Sequence, residues 1–195
     1  MFRYLPPATR ALLLTNIGVF LLQYLTRGLF DEVFALQPLG SHFEPWQLVT
    51  YAFLHGGFAH IFFNMFALFM FGPELELGLG TRRYLVLYFA SVLTAAVVQL
   101  ATTSLSGSTE STVGASGGIF GLLLAFAFYF PQRKLFVIPI PIPIPAWLFV
   151  TGYGLIELFL GMSHTQEGVA HFAHLGGMAG AAAVMLYWRL NAASR

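Results

Sequence analysis

The chain has 195 residues, 57% of them hydrophobic and 9% charged, with a mean hydropathy of +0.75; water-soluble domains carry about 25% charged residues, so a lipid bilayer is the solvent that suits this composition. Nine Lys+Arg against eight Asp+Glu leave a net charge of +1, which excludes the basic field that a nucleic-acid partner requires. Cysteine is absent, which excludes disulfides, thiolate metal sites and a cysteine nucleophile, and leaves any chemistry to Ser, His, Asp or Glu.

Met1 to Arg10 runs into an apolar stretch with no small-residue cleavage site behind it, so the first segment is expected to be a retained span. Six apolar segments succeed one another at about residues 11–26, 58–72, 84–103, 115–130, 146–162 and 169–190. Each is near, or slightly short of, the length that crosses about 30 Å of hydrocarbon. Lipid cannot satisfy free peptide groups, so the segments are predicted helical. The expected fold class is therefore all-α, a polytopic six-helix membrane bundle forming a single domain over residues 1–195. Pro73, Pro131 and the run Pro139, Pro141, Pro143, Pro145 fall between the segments, and the proline run reads as an extended connector.

Lys and Arg are retained in cytoplasmic loops. Arg3 and Arg10 precede the first segment, Arg82 and Arg83 separate the second from the third, Arg133 and Lys134 separate the fourth from the fifth, and Arg189 and Arg195 end the chain. Only Arg27 falls on the other side, together with Asp31, Glu32, Glu44, Glu110 and Glu167. Both termini are expected in the cytoplasm. Trp46, Trp147, Tyr187 and Trp188 lie near predicted span ends, as an aromatic belt requires.

Polar groups at membrane depth are expensive, and three clusters of them interrupt the apolar pattern. The first is WQLVTYAFLHGGFAHIFFN, Trp46 to Asn64, with His55, His60 and Asn64; His60 and Asn64 are four apart and share a helix face. The second is Gly114-Ala115-Ser116-Gly117, where Ser116 opens a short span. The third is His171 to Gly177, with His174. Counted at 1.5 Å per residue from the cytoplasmic ends, Ser116 and His174 both stand roughly 21 to 23 Å up, and His60 roughly 20 Å. The three share one layer. Gly117 and Gly121 on the fourth span, and Gly176, Gly177, Gly180 and Ala181 on the last, form small-residue faces that let backbones approach closely. Packed together, those faces put Ser116 Oγ within reach of an imidazole nitrogen, the arrangement of a nucleophile and its general base. The Ser116 amide, at a helix start, is free to meet an oxyanion, with His60 and Asn64 as side-chain donors.

Other intramembrane chemistries fit poorly. An aspartyl dyad needs two carboxylates sharing a proton, and the only aspartate is Asp31, in a loop. The zinc motif H-E-x-x-H is missing. His171 and His174 could share a metal only with a third ligand from His55 or His60, so neither a metal nor a cofactor is expected. Glu157, alone in the fifth span, stands either as a proton-relay residue or as an acid that is protonated or hydrogen-bonded between helices.

Taken together, H-x-x-x-x-H-x-x-x-N (His55, His60, Asn64), G-A-S-G (Gly114 to Gly117) and A-H-L-G-G (Ala173 to Gly177) resemble the rhomboid family of intramembrane serine proteases over nearly the whole chain. The resemblance implies Ser116 as nucleophile, His174 as its base without an aspartate, and His60, Asn64 and the Ser116 amide as the oxyanion site. His55, Gly114, Gly117, Phe120 and Gly177 would support them, while His171 has no place in the family's catalytic pattern. It further implies transmembrane-protein substrates, an inner-membrane location and a water-filled cavity open to the extracytoplasmic side. A membrane-inserted loop over about 28–54 and a gate over about 147–168 complete the implied setting, in a minimal six-span form. Two departures stand out. Gln47 replaces the arginine that many members carry after Trp46, so a charged loop anchor is missing; Phe120 replaces a tyrosine that several members stack on the histidine. A catalytically silent binder or chaperone of transmembrane helices is the alternative on the same scaffold, and intact Ser116 and His174 argue against it. A small-solute transporter would call for charged pairs or repeated broken helices, and the spans offer only Glu157. Oligomeric state is not legible.

Overall fold

The computed structural model describes residues 5–26, 28–40, 42–137, 140–163 and 170–193. Arg3, Arg27, Pro139, Glu167, Val169 and Arg195, and residues 164–168 of the expected gate, lie outside the described residues.

The chain forms α1 (Pro7–Leu25), two short helices α2 (Leu29–Phe34) and α3 (Gln47–Thr50) with a 3-10 turn at Tyr51–Phe53, then α4 (Phe58–Leu79), α5 (Thr81–Ser106) and α6 (Ser116–Tyr129). A hairpin of β1 (Lys134–Val137) and β2 (Ile140–Pro145) leads into α7 (Ala146–Ser163) and α8 (His171–Ala193). Helices α1, α4, α5 and α7 are long and apolar enough to cross a membrane. The other two differ for reasons of content: α6 is apolar but has only 14 residues, and the 23 residues of α8 open on His171 and His174. These are the helices that carry the candidate serine and histidine.

Helix α6 lies at the centre, with ten of its 14 residues buried. The outer faces are apolar: Phe62 and Phe63 on α4, Leu21 on α1, and Leu155, Phe159 and Met162 on α7 are all more than half exposed. Polar side chains such as Asn16, Gln47, Ser91, Glu157 and His171 are buried. Apolar outside and polar inside is the arrangement a lipid solvent imposes.

The second apolar segment does not stop before Pro73; α4 continues through it to Leu79. Pro73 costs the helix one N–H bond, but the following turn is held by contacts with its neighbours. The buried Glu76 carboxylate accepts hydrogen bonds from the Ala8 and Thr9 amides at 2.9 and 2.7 Å, from Thr9 Oγ1 at 2.8 Å and from Thr81 Oγ1 at 2.9 Å. It thereby satisfies orphan donors at the start of α1 and ties α1, α4 and α5 together. Gly72 makes the approach possible: a Cβ there would lie 2.9 Å from both Thr9 Cγ2 and the Tyr84 hydroxyl.

From Ile140 to Pro145 the proline run is extended but is paired rather than a free connector. Leu135 is opposite Ile144 and Val137 opposite Ile140 in an antiparallel ladder. Proline at every second position puts the missing N–H groups along one edge, so the isoleucines keep theirs for β1. The Arg133 guanidinium meets Glu74 at the end of α4, and the Arg83 guanidinium lies 5.6 Å above the Trp188 ring. These contacts gather the described basic residues at the end of the bundle where α1, α5 and α7 begin and α4, α6 and α8 finish.

Replacing Glu76 by alanine strips four donors of a charged acceptor and is expected to destabilise the fold by about 2–4 kcal/mol. Glu74→Ala, which breaks a half-exposed pair, should cost less than about 1 kcal/mol. Thermal unfolding of both variants in detergent micelles checks the contrast.

Candidate active site

Ser116 is delivered to its position by the segment between α1 and α4. Leu36 and Thr112 form an isolated antiparallel bridge, with reciprocal N–H···O bonds of 3.0 and 2.9 Å, and the Gly114 amide donates to the Tyr51 carbonyl at 2.9 Å. Tyr51 is itself fixed to α5 by a 2.8 Å bond from its hydroxyl to the Val92 carbonyl. The strand entering α6 is thus held on both sides, and α6 begins at Ser116. Gly114 has φ +131°, and a Cβ there would press on the His60 ring at 2.8 Å. Both the backbone angle and the lack of space require glycine.

His174 comes from α8, and glycine sets its distance. A Cβ on Gly177 would fall on the Gly117 carbonyl, and one on Gly176 would lie 2.8 Å from Val98 Cβ on α5. With those side chains missing, α6 and α8 pack backbone to backbone. The structure brings Ser116 and His174 together: Ser116 Oγ is 2.8 Å from His174 Nε2. The Phe120 ring stacks on the His174 imidazole, centroids 4.2 Å apart and planes within 7°, so phenylalanine provides the stacking face without a hydroxyl.

On its other side His174 is not free of a carboxylate. Glu157 Oε2, from α7, lies 2.9 Å from His174 Nδ1 and 2.7 Å from His171 Nδ1. An ionised carboxylate only accepts, so with Glu157 ionised each ring donates its Nδ1–H. That leaves the Nε2 lone pair of His174 facing the serine hydroxyl, which donates to it. The group beside His171 and His174 is therefore Glu157, and neither His55 nor His60 joins them.

Opposite the serine, His60 Nδ1 accepts from the Gly56 amide at 3.3 Å, which leaves its Nε2 as the protonated, donating nitrogen. Asn64 is buried, and its Nδ2 has no protein partner. His60, Asn64, Ser116 and His174 line one cavity of about 770 Å³. Asn64 Nδ2 is thus an unsatisfied buried donor on a residue of the cavity wall, and such a donor suits a developing negative charge. His55 does not line the cavity; its ring packs edge-on against His60 at 5.2 Å, and its backbone amide donates to Gln23 Oε1 of α1 at 2.9 Å.

The loop has a neutral anchor in place of the missing charge. Gln47 is 1% exposed; its Oε1 accepts from the amides of Gln37 and Glu44 at 3.1 and 3.2 Å, and its Nε2 donates to the carbonyls of Val33 and His42 at 3.2 and 3.4 Å. The position calls for donors and acceptors rather than charge.

A family model described as the Rhomboid domain matches residues 42–190, which contain His60, Asn64, Ser116, Glu157, His171 and His174. The chain belongs to the rhomboid family. Among curated relatives, this rhomboid chain is 33% identical to YdcA of Bacillus subtilis (strain 168) over 137 residues, 70% of this chain and 64% of that protein. It is 31% identical to "Rhomboid protease GluP" of the same organism over 138 residues, 70% of this chain and 25% of the relative. It is also 29% identical to "Rhomboid-type serine protease 2" of Emericella nidulans over 126 residues, 64% of this chain and 23% of that protein. The chain thus spans less than two thirds of the length of these relatives.

If Gln47 is the anchor of this rhomboid's first loop, Gln47→Ala leaves the Gln37 and Glu44 amides unpaired and lowers stability by about 2–3 kcal/mol. Thermal unfolding in micelles checks this, with the neighbouring exposed Trp46→Phe expected to cost under about 1 kcal/mol.

Proposed function

We propose that this rhomboid is an intramembrane serine endopeptidase that cuts transmembrane segments of membrane proteins through an acyl-enzyme on Ser116. The observation that carries the reading is the 2.8 Å Ser116 Oγ–His174 Nε2 contact at the wall of a cavity whose lining also includes Asn64, with an Nδ2 that has no protein partner. The names of its protease relatives agree with it.

A substrate helix unwinds locally and presents a scissile carbonyl to Ser116. As Oγ bonds to the carbonyl carbon, its proton passes to His174 Nε2, and the carbonyl electron pair moves onto the oxygen. The Ser116 amide, His60 Nε2–H and Asn64 Nδ2–H hold that oxyanion. His174 returns the proton to the leaving amine, and a water activated by the same imidazole hydrolyses the acyl-enzyme.

All six long helices span the bilayer in this reading, with α6 starting below the outer surface because its 14 residues reach only about 21 Å. The basic end of the bundle and both termini face the cytoplasm of a cell whose inner membrane holds the protein. The cavity opens to the extracytoplasmic side, the segment over 28–54 lies partly in the membrane, and α7 with the residues that follow it gates lateral entry.

Purified protein in liposomes with a tagged transmembrane substrate tests the proposal. Ser116→Ala and His174→Ala are expected to lose at least about 1,000-fold in cleavage rate, and Asn64→Ala about 10- to 1,000-fold. Cleavage at the wild-type rate by Ser116→Ala sinks it.

A further inference from the structure

Two buried polar side chains have no part in the chemistry so far: Glu157, 4% exposed in the middle of α7, and His171, 5% exposed at the start of α8. An ionisable group at such depth is costly unless it is paired. Here the pairing is with each other and with His174, through a single carboxylate oxygen. We propose that Glu157 is the positioning acid of a Ser116–His174–Glu157 triad, with His171 as the second donor that fixes the carboxylate. The inference rests on the protease reading above and deepens it.

The geometry assigns separate tasks. Glu157 does not line the cavity; of His174 it reaches only the nitrogen far from the serine. Its Oε2 takes the Nδ1–H of His174, which selects the tautomer whose Nε2 lone pair faces Ser116 and stops the ring from turning about its axis. When the serine proton arrives at Nε2, the imidazole becomes a cation in a site of low dielectric, and the adjacent carboxylate offsets that charge. The Nδ1 proton stays on the imidazole, and Glu157 stays ionised. As the new Oγ–C bond forms, the Ser116 O–H bond and the carbonyl π bond break, the proton going to Nε2 and the π pair to the carbonyl oxygen. The His171 Nδ1–H shares the same oxygen at 2.7 Å, which partly solvates the carboxylate in place of water and holds Oε2 where His174 needs it. Stacking on Phe120 fixes the plane of the His174 ring; the carboxylate fixes its rotation within that plane.

A divalent cation is the competing occupant, since ligand atoms of Glu157, His171 and His174 lie within 4.8 Å of one another. The spacing favours hydrogen bonds. A tetrahedral ion with ligands at about 2.0–2.1 Å would hold nitrogen and oxygen about 3.3 Å apart, whereas the two nitrogens lie 2.7 and 2.9 Å from one oxygen.

Three measurements on the full chain in liposomes decide it. Glu157→Gln keeps the shape and removes the charge; kcat should fall about 100- to 10,000-fold with KM within about twofold, because nothing that touches substrate has changed. A fall of about tenfold or less, with Ser116→Ala inactive, overturns the triad and leaves the protease reading standing. If Ser116→Ala itself cleaves, the protease reading is what fails. In histidine-15N-labelled wild type, solid-state NMR should find His174 protonated at Nδ1; protonation at Nε2 overturns the proposal even if Glu157→Gln fails to fold. Metal analysis after purification in zinc should find no stoichiometric ion that Glu157→Gln loses. Finding one, with activity governed by chelation, overturns the triad in favour of a metal site.

Discussion

The close approach of α6 to α8 is the constraint on which the site depends. Gly117 and Gly177 meet backbone to backbone, and a single methyl at Gly177 would collide with the Gly117 carbonyl. Only at that separation does an imidazole one turn from Gly177 reach a hydroxyl one residue from Gly117. In lipid no hydrophobic effect drives helices together, so packing and interhelical hydrogen bonds must do it. Backbone contact supplies the first here. The hydrogen bonds from α8 to Ser116 on α6 and to Glu157 on α7 supply the second.

Around that contact the segment between α1 and α4 acts as scaffolding. It binds the strand ahead of Ser116 through Leu36 and Tyr51, is pinned internally by Gln47, and is tied to α1 through Gln23. A polypeptide stretch with little regular structure can hold the geometry of the site because its peptide groups are satisfied one by one. At the opposite end Glu76 does the equivalent for the start of α1. The polar residues of this protein are structural ties in a solvent that would otherwise reject them, and a few of them face the cavity as well.

Much of the site was legible in the sequence because its groups come in short motifs. Ser116 sits among small residues, and His60 and Asn64 are one helical turn apart, so periodicity alone puts them on a common face. The structure assembles these residues around one cavity. Glu157 is different: it lies 17 residues before His174 on another helix, and its contact depends on the rotation of α7, which no local pattern encodes. A signal was nevertheless present. An unpaired acid in one span and a surplus histidine, His171, in the next each needed a partner, and each could be the other's. At Gln47 the sequence shows only that a charge is missing; that peptide amides and carbonyls are met there by a neutral amide side chain depends on the fold of the loop. Pro73 was taken as a helix end because the sequence does not reveal that Glu76 secures the turn beyond it.

The most direct measurement of the central claim is covalent labelling by a fluorophosphonate, located by peptide mass spectrometry. In the wild type the adduct should sit on Ser116, and in His174→Ala the labelling rate should drop by about 100-fold or more, the share a positioned general base contributes. An unmodified Ser116 in the folded wild type, or equal labelling with and without the imidazole, would contradict the claim that α6 and α8 join to activate this serine.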